Sequence, residues 1–496
     1  MIQKIPATEP KIDERSVRLE KLKSLRSANI NPYPSESKRT HSVKAALSLP
    51  VGKISTIAGR LMTKRDMGKL TFCHIEDASG KMQIALKSDD MGKENYKQFL
   101  SLIDSGDFLQ ITGERFTTHK GEESILVKEW ILLTKTLLPL PDKYHGLQNE
   151  ELRSRKRYLD FLANPEEKEK ILVRGRILKA IREFLYKEEF VEVETPVLET
   201  VASGAAARPF TTHINAYDMD LYLRIACGEL WQKRLMIGGF EKIFEMGRVF
   251  RNEGVDREHN PEFTMLEYYW AYADAKENMN FHEKLIPFAV EESIGKLKVL
   301  HDNEEIDFSA PYPRITFHDA VLKHSGIDID KFETTESLRL VMKKNKLEVE
   351  DGAERGKLLD SLYKQTTRPK LRQPTFVLDY PVELKPLAKK AADPRYTDMF
   401  QLIVAGFELS NSYTELNDPI DQRERFAEQT RLATAGEEEV MGADLDFVEA
   451  LEHGMPPATG TGIGIDRFAT LLSGSHSIRE VTAFPLVRPE TAPENK

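Results

Sequence analysis

Between residues 52 and 135, apolar and polar residues alternate in short runs. ISTIAGRLMTKR, LTFCHIED, KMQIALK, DFLQITGERF and ESILVKEWILLT each read as a strand, with turns at Met67-Gly68, Ser79-Gly80 and Lys120-Gly121. Five short strands so closely spaced predict a small closed barrel. Ahead of them, Val17, Leu19, Leu22 and Leu25 form an apolar stripe beside Arg15, Arg18, Lys23 and Arg26, predicting a helix over 13–29 that Asn31-Pro32-Tyr33-Pro34 stops. Its basic face suits solvent or phosphate. Residues 137–161, LLPLPDKYHGLQNEELRSRKRYLDF, hold two prolines and the basic cluster Arg153, Arg155, Lys156 and Arg157. They read as a hinge followed by a helix entering a second domain. Residues 166–189 are helical by pattern, and Phe190–Pro196 is a strand ended by proline. Beyond them, antiparallel-looking strands mix with helices without a regular βαβ rhythm, which predicts α+β.

Length and charge sharpen this picture. At 496 residues the chain needs two or three domains. The overall charge of −9 conceals an asymmetry: residues 1–150 carry +5 and the remainder −14. A mildly basic module on an acidic body suits an enzyme with a polyanion-binding appendage. Two cysteines, Cys73 and Cys227, exclude a disulfide framework and a multi-cysteine zinc site. No run reaches the ~18 apolar residues of a membrane helix. MIQKIPATEPKIDERS lacks an apolar signal core, so a cytoplasmic location is expected.

In the barrel, Phe72 and His74 share one strand face, with Arg65 just upstream and Gln83 on the next strand. An aromatic ring among basic and amide groups suits stacking on unpaired bases, so an oligonucleotide-binding (OB) barrel is expected.

The densest chemistry lies in EKIFEMGRVFRNEGVDREHNPEFTMLEYYWAY, residues 241–272. Two strands, about 243–253 and 263–270, flank a polar loop. Alternation puts Arg251 and Glu253 on one face of the first, and Phe263, Glu267 and Tyr269 on one face of the second. Charged side chains are almost never buried unpaired, so such a set points to a ligand. Arg251 offers a fork for phosphate or carboxylate, and Phe263 a surface for a purine. ATGTGIGIDRFATLL (458–472) is a glycine-rich strand entering a helix, with Arg467 at the helix start. In GFELSNSYTELND (406–418), Asn411, Tyr413 and Glu415 alternate on one face. Glu408 has the opposite parity and joins them only if the strand bulges near Ser410. That bulge is expected. Gly352–Leu358 is one residue short of a P-loop, and neither a Rossmann glycine pattern nor a nucleophile elbow appears.

These runs resemble the three signature motifs of class II aminoacyl-tRNA synthetases: Phe190–Pro196 is similar to motif 1, Phe250–Glu267 to motif 2, and GTGIGIDR to motif 3. The N-terminal barrel narrows the resemblance to the aspartyl, asparaginyl and lysyl subgroup. GAAARPF (204–210), LPDKYHGL (140–147), TELND (414–418) and LEHGMPP (451–457) are similar to bacterial-type lysyl-tRNA synthetases. The resemblance implies an N-terminal helical extension at 1–50, an OB anticodon-binding domain at 51–140, a hinge at 141–165 and a class II catalytic domain at 166–496.

It also implies roles. Gly204 and Glu229 would hold the α-amino group of lysine, and Arg251 and Asn411 its carboxylate. Arg251 would also touch the α-phosphate. Glu253, His259 and Phe263 would frame the adenine and triphosphate, Arg467 would pair with the γ-phosphate, and Glu408 would bind magnesium. Several Mg²⁺ ions would accompany ATP. Arg65, Phe72, Gln83 and Glu129 fall where the family reads the lysine anticodon. The implied partners are ATP, L-lysine, tRNA(Lys) and a second copy of the chain, with no membrane and no DNA. The residues themselves favour lysine: Glu267, Tyr269 and Glu415 could neutralise a terminal ammonium, whereas aspartate would require a dedicated cation. An asparaginyl- or aspartyl-specific relative, or an inactive tRNA-binding homologue, stays as an alternative. Three positions depart from the family pattern. Cys227-Gly228-Glu229 stands for the usual Pro-Glu, Lys385 for a serine, and Gln401 for a second metal-binding glutamate.

Overall fold

The computed structural model describes residues 13–141, 149–434 and 441–488. Most of LPDKYHGL and the start of the 141–165 segment lie outside the described residues. The chain divides into two compact units, Met1–Gly146 and Leu147–Lys496.

In the first unit, β1 (Ile54–Asp66), β2 (Leu70–Asp77), β3 (Gly80–Lys87), β4 (Phe108–Thr117) and β5 (Glu123–Thr134) close a barrel in the order β1-β2-β3-β5-β4. Alternation drives the closure: Cys73, Ile75, Ile84, Leu86, Ile125 and Val127 are buried inside, and their neighbours along each strand face outward. The predicted helix is Glu14–Ser27. Its basic face, however, is not left to solvent or phosphate throughout. Arg18 is buried and donates to Ser105 O (3.1 Å) and Thr136 Oγ1 (2.8 Å), while Lys21 pairs with Asp104 (2.5 Å). Buried charges need such partners, and the helix therefore serves the barrel.

The second unit is built on an eight-stranded sheet. Across it run Arg314–Thr316, Thr375–Leu378, Met399–Val404, Phe407–Thr414, Ala458–Gly464, Glu262–Ala271, Lys242–Phe250 and Val191–Glu192. The six central strands are antiparallel, and each edge strand is parallel to its neighbour. This is the expected α+β architecture. One face packs against the helices Pro165–Lys187 and Ala275–Ile294 through Leu266, Tyr268, Phe400 and Leu402. The period of two then sends Glu267 and Tyr269 to the other face, where the chemistry gathers.

Candidate active site

The hairpin ladder ends at Phe250↔Glu262, so the first strand stops short of the predicted residue 253. Arg251 and Glu253 consequently do not stand on a strand face. The loop that follows satisfies its own polar groups, with Asp256 accepting from the amides of Glu258 (2.7 Å) and His259 (2.8 Å). Arg251 is instead aimed by its bonds: its amide donates to Pro261 O (2.9 Å) and its Nε to Ile225 O (3.1 Å). Its guanidinium lies 5.3 Å from the Phe263 ring centroid. Glu253 accepts from the Arg208 amide at 3.3 Å.

Arg251, Phe263, Glu408, Asn411, Gly462 and Arg467 line one pocket. The expected bulge is present: Leu402 pairs with Ser410 and Ile403 with Glu408, so Leu409 is the extra residue. It turns Glu408 to the side of Asn411. Arg467 donates to Glu408 O (3.0 Å) and stands 3.3 Å from His259 Nε2, while Nδ1 of that ring faces Asp256 at 2.8 Å. A guanidinium only donates, so Nε2 accepts and the ring proton sits on Nδ1. Asp466, which alternation did not single out, accepts from Arg174 Nε (2.8 Å) and the Thr264 amide (2.7 Å), tying the helix Ile465–Leu472 to the hairpin.

Beside this pocket lie the buried carboxylates Glu229, Glu267 and Glu415. Glu267 Oε1 accepts from the Cys227 amide (2.8 Å) and Oε2 from the Tyr269 hydroxyl (3.3 Å). Glu229 accepts from the Tyr413 hydroxyl and from Lys233 Nζ (2.9 Å). Lys233, 1% exposed, also lies 2.6 Å from Glu415 Oε2. Lys233 thus bridges Glu229 and Glu415, and Glu415 Oε1 is left without a donor. Lys233 was not read from the sequence. Its spacing of four from Glu229 on the helix Glu229–Ile237 was the available signal. Burial pushes the Glu267 carboxyl up to about 8, with Glu229 adding repulsion. Burial also pushes Glu415 up to about 8, against the pull of Lys233. For Lys233, burial favours the neutral amine, but Glu229 and Glu415 outweigh it and raise its pKa.

Glycines make this packing possible. Gly460 pairs with both Tyr269 and Tyr413, and a Cβ there would lie 2.0 Å from Glu415 Oε1 and 2.5 Å from the Tyr269 ring. Gly460 thus makes room for protein side chains, while Gly462 and Gly464 open the neighbouring pocket. Gly204 sits beside Glu229, where a Cβ would approach the Glu229 Cβ at 3.3 Å. The Cys227-Gly228 departure also acquires a reason. Gly228 has φ +79°, and a Cβ there would meet Thr195 Oγ1 at 2.1 Å. A proline at 227 would lack the N–H that Glu267 accepts. Lys385 Nζ donates to Asn411 Oδ1 at 2.9 Å, and Gln401 is a neighbour of the same oxygen.

On the barrel, Arg65 pairs with Phe72, and His74 with Gln83, on the outer face. Arg65 is exposed and Phe72 half-buried, whereas Gln83 is buried and bonded to Ser124 (2.8 Å) and Glu122 (2.7 Å). Glu129 is exposed on β5 at an irregularity opposite Thr112, outside that row.

Residues 149–488 match the family model of class II tRNA synthetases (D, K and N), and residues 55–133 that of the OB-fold nucleic acid binding domain. A curated lysine–tRNA ligase of Moorella thermoacetica is 47% identical over 482 residues, covering 96% of this chain and 98% of the relative. Those of Thermosipho africanus and Enterococcus faecalis are each 46% identical, over 96% of this chain and 96% and 97% of their own lengths. The chain belongs to the class II tRNA synthetases of the D, K and N group and, within them, to the lysine–tRNA ligase family.

Proposed function

We infer that this chain activates L-lysine with ATP and transfers the lysyl group to the 3′ end of tRNA(Lys). The observation that carries the reading is Glu415, a buried carboxylate whose Oε2 meets Lys233 while its Oε1 has no hydrogen-bond donor. Three carboxylates, once ionised, and the Lys233 ammonium would leave two negative charges buried. Lysine, with its α- and ε-ammonium groups, balances them, and neutral side chains do not. The α-ammonium takes Glu229 beside Gly204, and the ε-ammonium takes Glu267 and Glu415 near Tyr269 and Tyr413. Arg251 and Asn411 hold the carboxylate. ATP lies in the neighbouring pocket, its base on Phe263 with Glu253 and His259 around it, and its γ-phosphate on Arg467.

The lysine carboxylate then attacks the α-phosphorus in line, pyrophosphate leaves, and no protein nucleophile is needed. Arg251 and Arg467 work by position and charge. Glu408 presents a hard carboxylate that would hold a magnesium ion, and such an ion would supply further neutralisation of the triphosphate. The exposed Val191, Val197 and Leu198 support a homodimer formed around the first motif. Among the described residues no helix is long and apolar enough to cross a membrane. ATP–pyrophosphate exchange measured with each amino acid tests the activity: exchange with lysine alone is expected, and exchange driven by asparagine or aspartate would overturn the reading.

The same pocket sets a pH dependence. Glu267 and Glu415 hold their protons up to about pH 8 while it is empty, and the ammonium of lysine requires them ionised. Lysine binding therefore releases protons below that pH. The KM for lysine should fall as pH rises from 6.5 to about 8.5, by roughly tenfold per unit for each carboxyl that must ionise. A flat profile over this window would place those carboxylates off the ammonium.

The barrel is expected to act on tRNA alone. Stacking contributes ~1–3 kcal/mol per base, so Phe72→Ala should weaken tRNA charging roughly tenfold and leave lysine-dependent exchange intact. If exchange drops in parallel, the ring is a packing residue.

A further inference from the structure

Asn411, which lines the pocket with Arg251, Glu408 and Arg467, is met from behind by a protein ammonium. Lys385 is half-buried; its Nζ donates to Asn411 Oδ1 (2.9 Å) and stands 5.3 Å from the Tyr380 ring centroid. Gln401 Nε2 reaches the same Asn411 oxygen at 3.2 Å. The Gln401 amide oxygen accepts from the Tyr380 hydroxyl at 2.6 Å. Both ends of this amide are in use, so its oxygen cannot turn to a cation without abandoning a buried hydrogen bond.

The pocket's acids are similarly occupied. Asp466 is taken by Arg174 and the Thr264 amide, Glu258 by Arg368 (3.3 Å), and Glu253 by the Arg208 amide. Glu408 lies in the field of Lys385, Arg467 and Arg368, which hold its carboxyl below the usual range against the effect of burial. Among the described residues no three His, Cys, Asp or Glu side chains converge as metal ligands. Magnesium demands hard anionic oxygens in near-octahedral array. One ion on Glu408 and the phosphates meets that demand. A second ion held through position 401 does not, because the oxygen there is neutral and engaged, and an ammonium already stands beside it.

We propose that Lys385 stands in for a metal ion: its fixed ammonium replaces the divalent cation that a carboxylate at position 401 would hold. The same ammonium orients Asn411. Lysine only donates, so Oδ1 faces Lys385, and the Asn411 amide nitrogen is left to face the substrate carboxylate. Lys385 and Gln401 are then one substitution in two places, an added positive charge and a removed negative one, equal together to the charge of one divalent ion. This inference rests on the reading of the site as an ATP site for lysine activation.

The test counts ions rather than turnover. Full-length protein is titrated with Mn²⁺ at saturating α,β-methylene-ATP, without lysine, and protein-bound Mn²⁺ per bound nucleotide is read by electron paramagnetic resonance. The K385S/Q401E double variant should bind one ion more per site than the natural protein. Q401E alone, which keeps the ammonium, should gain none. Equal counts in the natural and doubly substituted proteins overturn the proposal, as does an extra ion in Q401E. Should the double variant fail to bind nucleotide, Q401E still decides. In exchange assays at fixed Mg²⁺, Lys385→Met should lose at least tenfold, and Lys385→Arg should recover most of it. Failure of the natural protein to exchange with lysine would defeat the functional reading while leaving the ion count to stand on its own.

Discussion

Glu415→Gln raises the lysine requirement of ATP–pyrophosphate exchange by on the order of a hundredfold, with the ATP requirement little changed. The substitution keeps the shape and removes one of the three carboxylates proposed to face the ammonium groups of lysine. Breaking one side of a buried ion pair costs about 3–5 kcal/mol, and each 1.4 kcal/mol is tenfold in affinity. Part of the loss is recovered because Lys233 keeps Glu229 at 2.9 Å, which places the effect at the lower end. The new amide would also bring an N–H₂ group toward Lys233, a donor facing a donor. The measurement is KM for lysine and for ATP in the natural and substituted proteins. Equal changes in both would mean that Glu415 shapes the whole sheet; no change in either would remove it from the pocket.

Lys233→Met produces the second large effect, on stability. It leaves Glu229, and Glu415 wherever that carboxyl is ionised, buried without their ammonium, a loss of about 3–5 kcal/mol. The direction with pH follows from the two kinds of group. The pKa of Lys233 is raised in the folded protein, so its contribution is whole below the ordinary lysine value, ~10.4, and is lost only as pH climbs through the higher folded value. It is therefore constant between pH 5.5 and 8.5 in the natural protein. In the variant the carboxyls escape the penalty by holding protons, which acid supplies and alkali removes. The deficit in thermal midpoint should accordingly be small at pH 5.5 and several degrees at pH 8. The same deficit at both would show that only the packing of the lysine stem was lost.

Much of the architecture was legible along the chain. The barrel strands, the outward placement of Phe72 beside Arg65, and the bulge that brings Glu408 to Asn411 all follow from counting in twos and noting where the count breaks. The same counting overreached at the hairpin, where it carried Arg251 and Glu253 onto a strand that had already ended. Alternation has no term for a loop whose own carboxylate, Asp256, collects its amides. Arg18 of the first helix was misjudged for a related reason, whereas Arg15, Lys23 and Arg26 are exposed as expected. Helical periodicity says which residues share a face, but not that Arg18 meets Ser105 and Thr136.

The sequence by itself determined the class of chemistry: which strands exist, which faces they present, and that an aromatic ring, a carboxylate and a phenol (Phe263, Glu267 and Tyr269) share one of them. These are properties of a single strand or hairpin, set by a period of two that any short window displays. Only the tertiary structure decided the partners. Lys233 meets Glu415, Lys385 meets Asn411, and the Cys227 amide meets Glu267, each across a gap in sequence that no periodicity spans. It also decided the charge states, because a carboxylate becomes hard to ionise only when the whole sheet has removed water from around it.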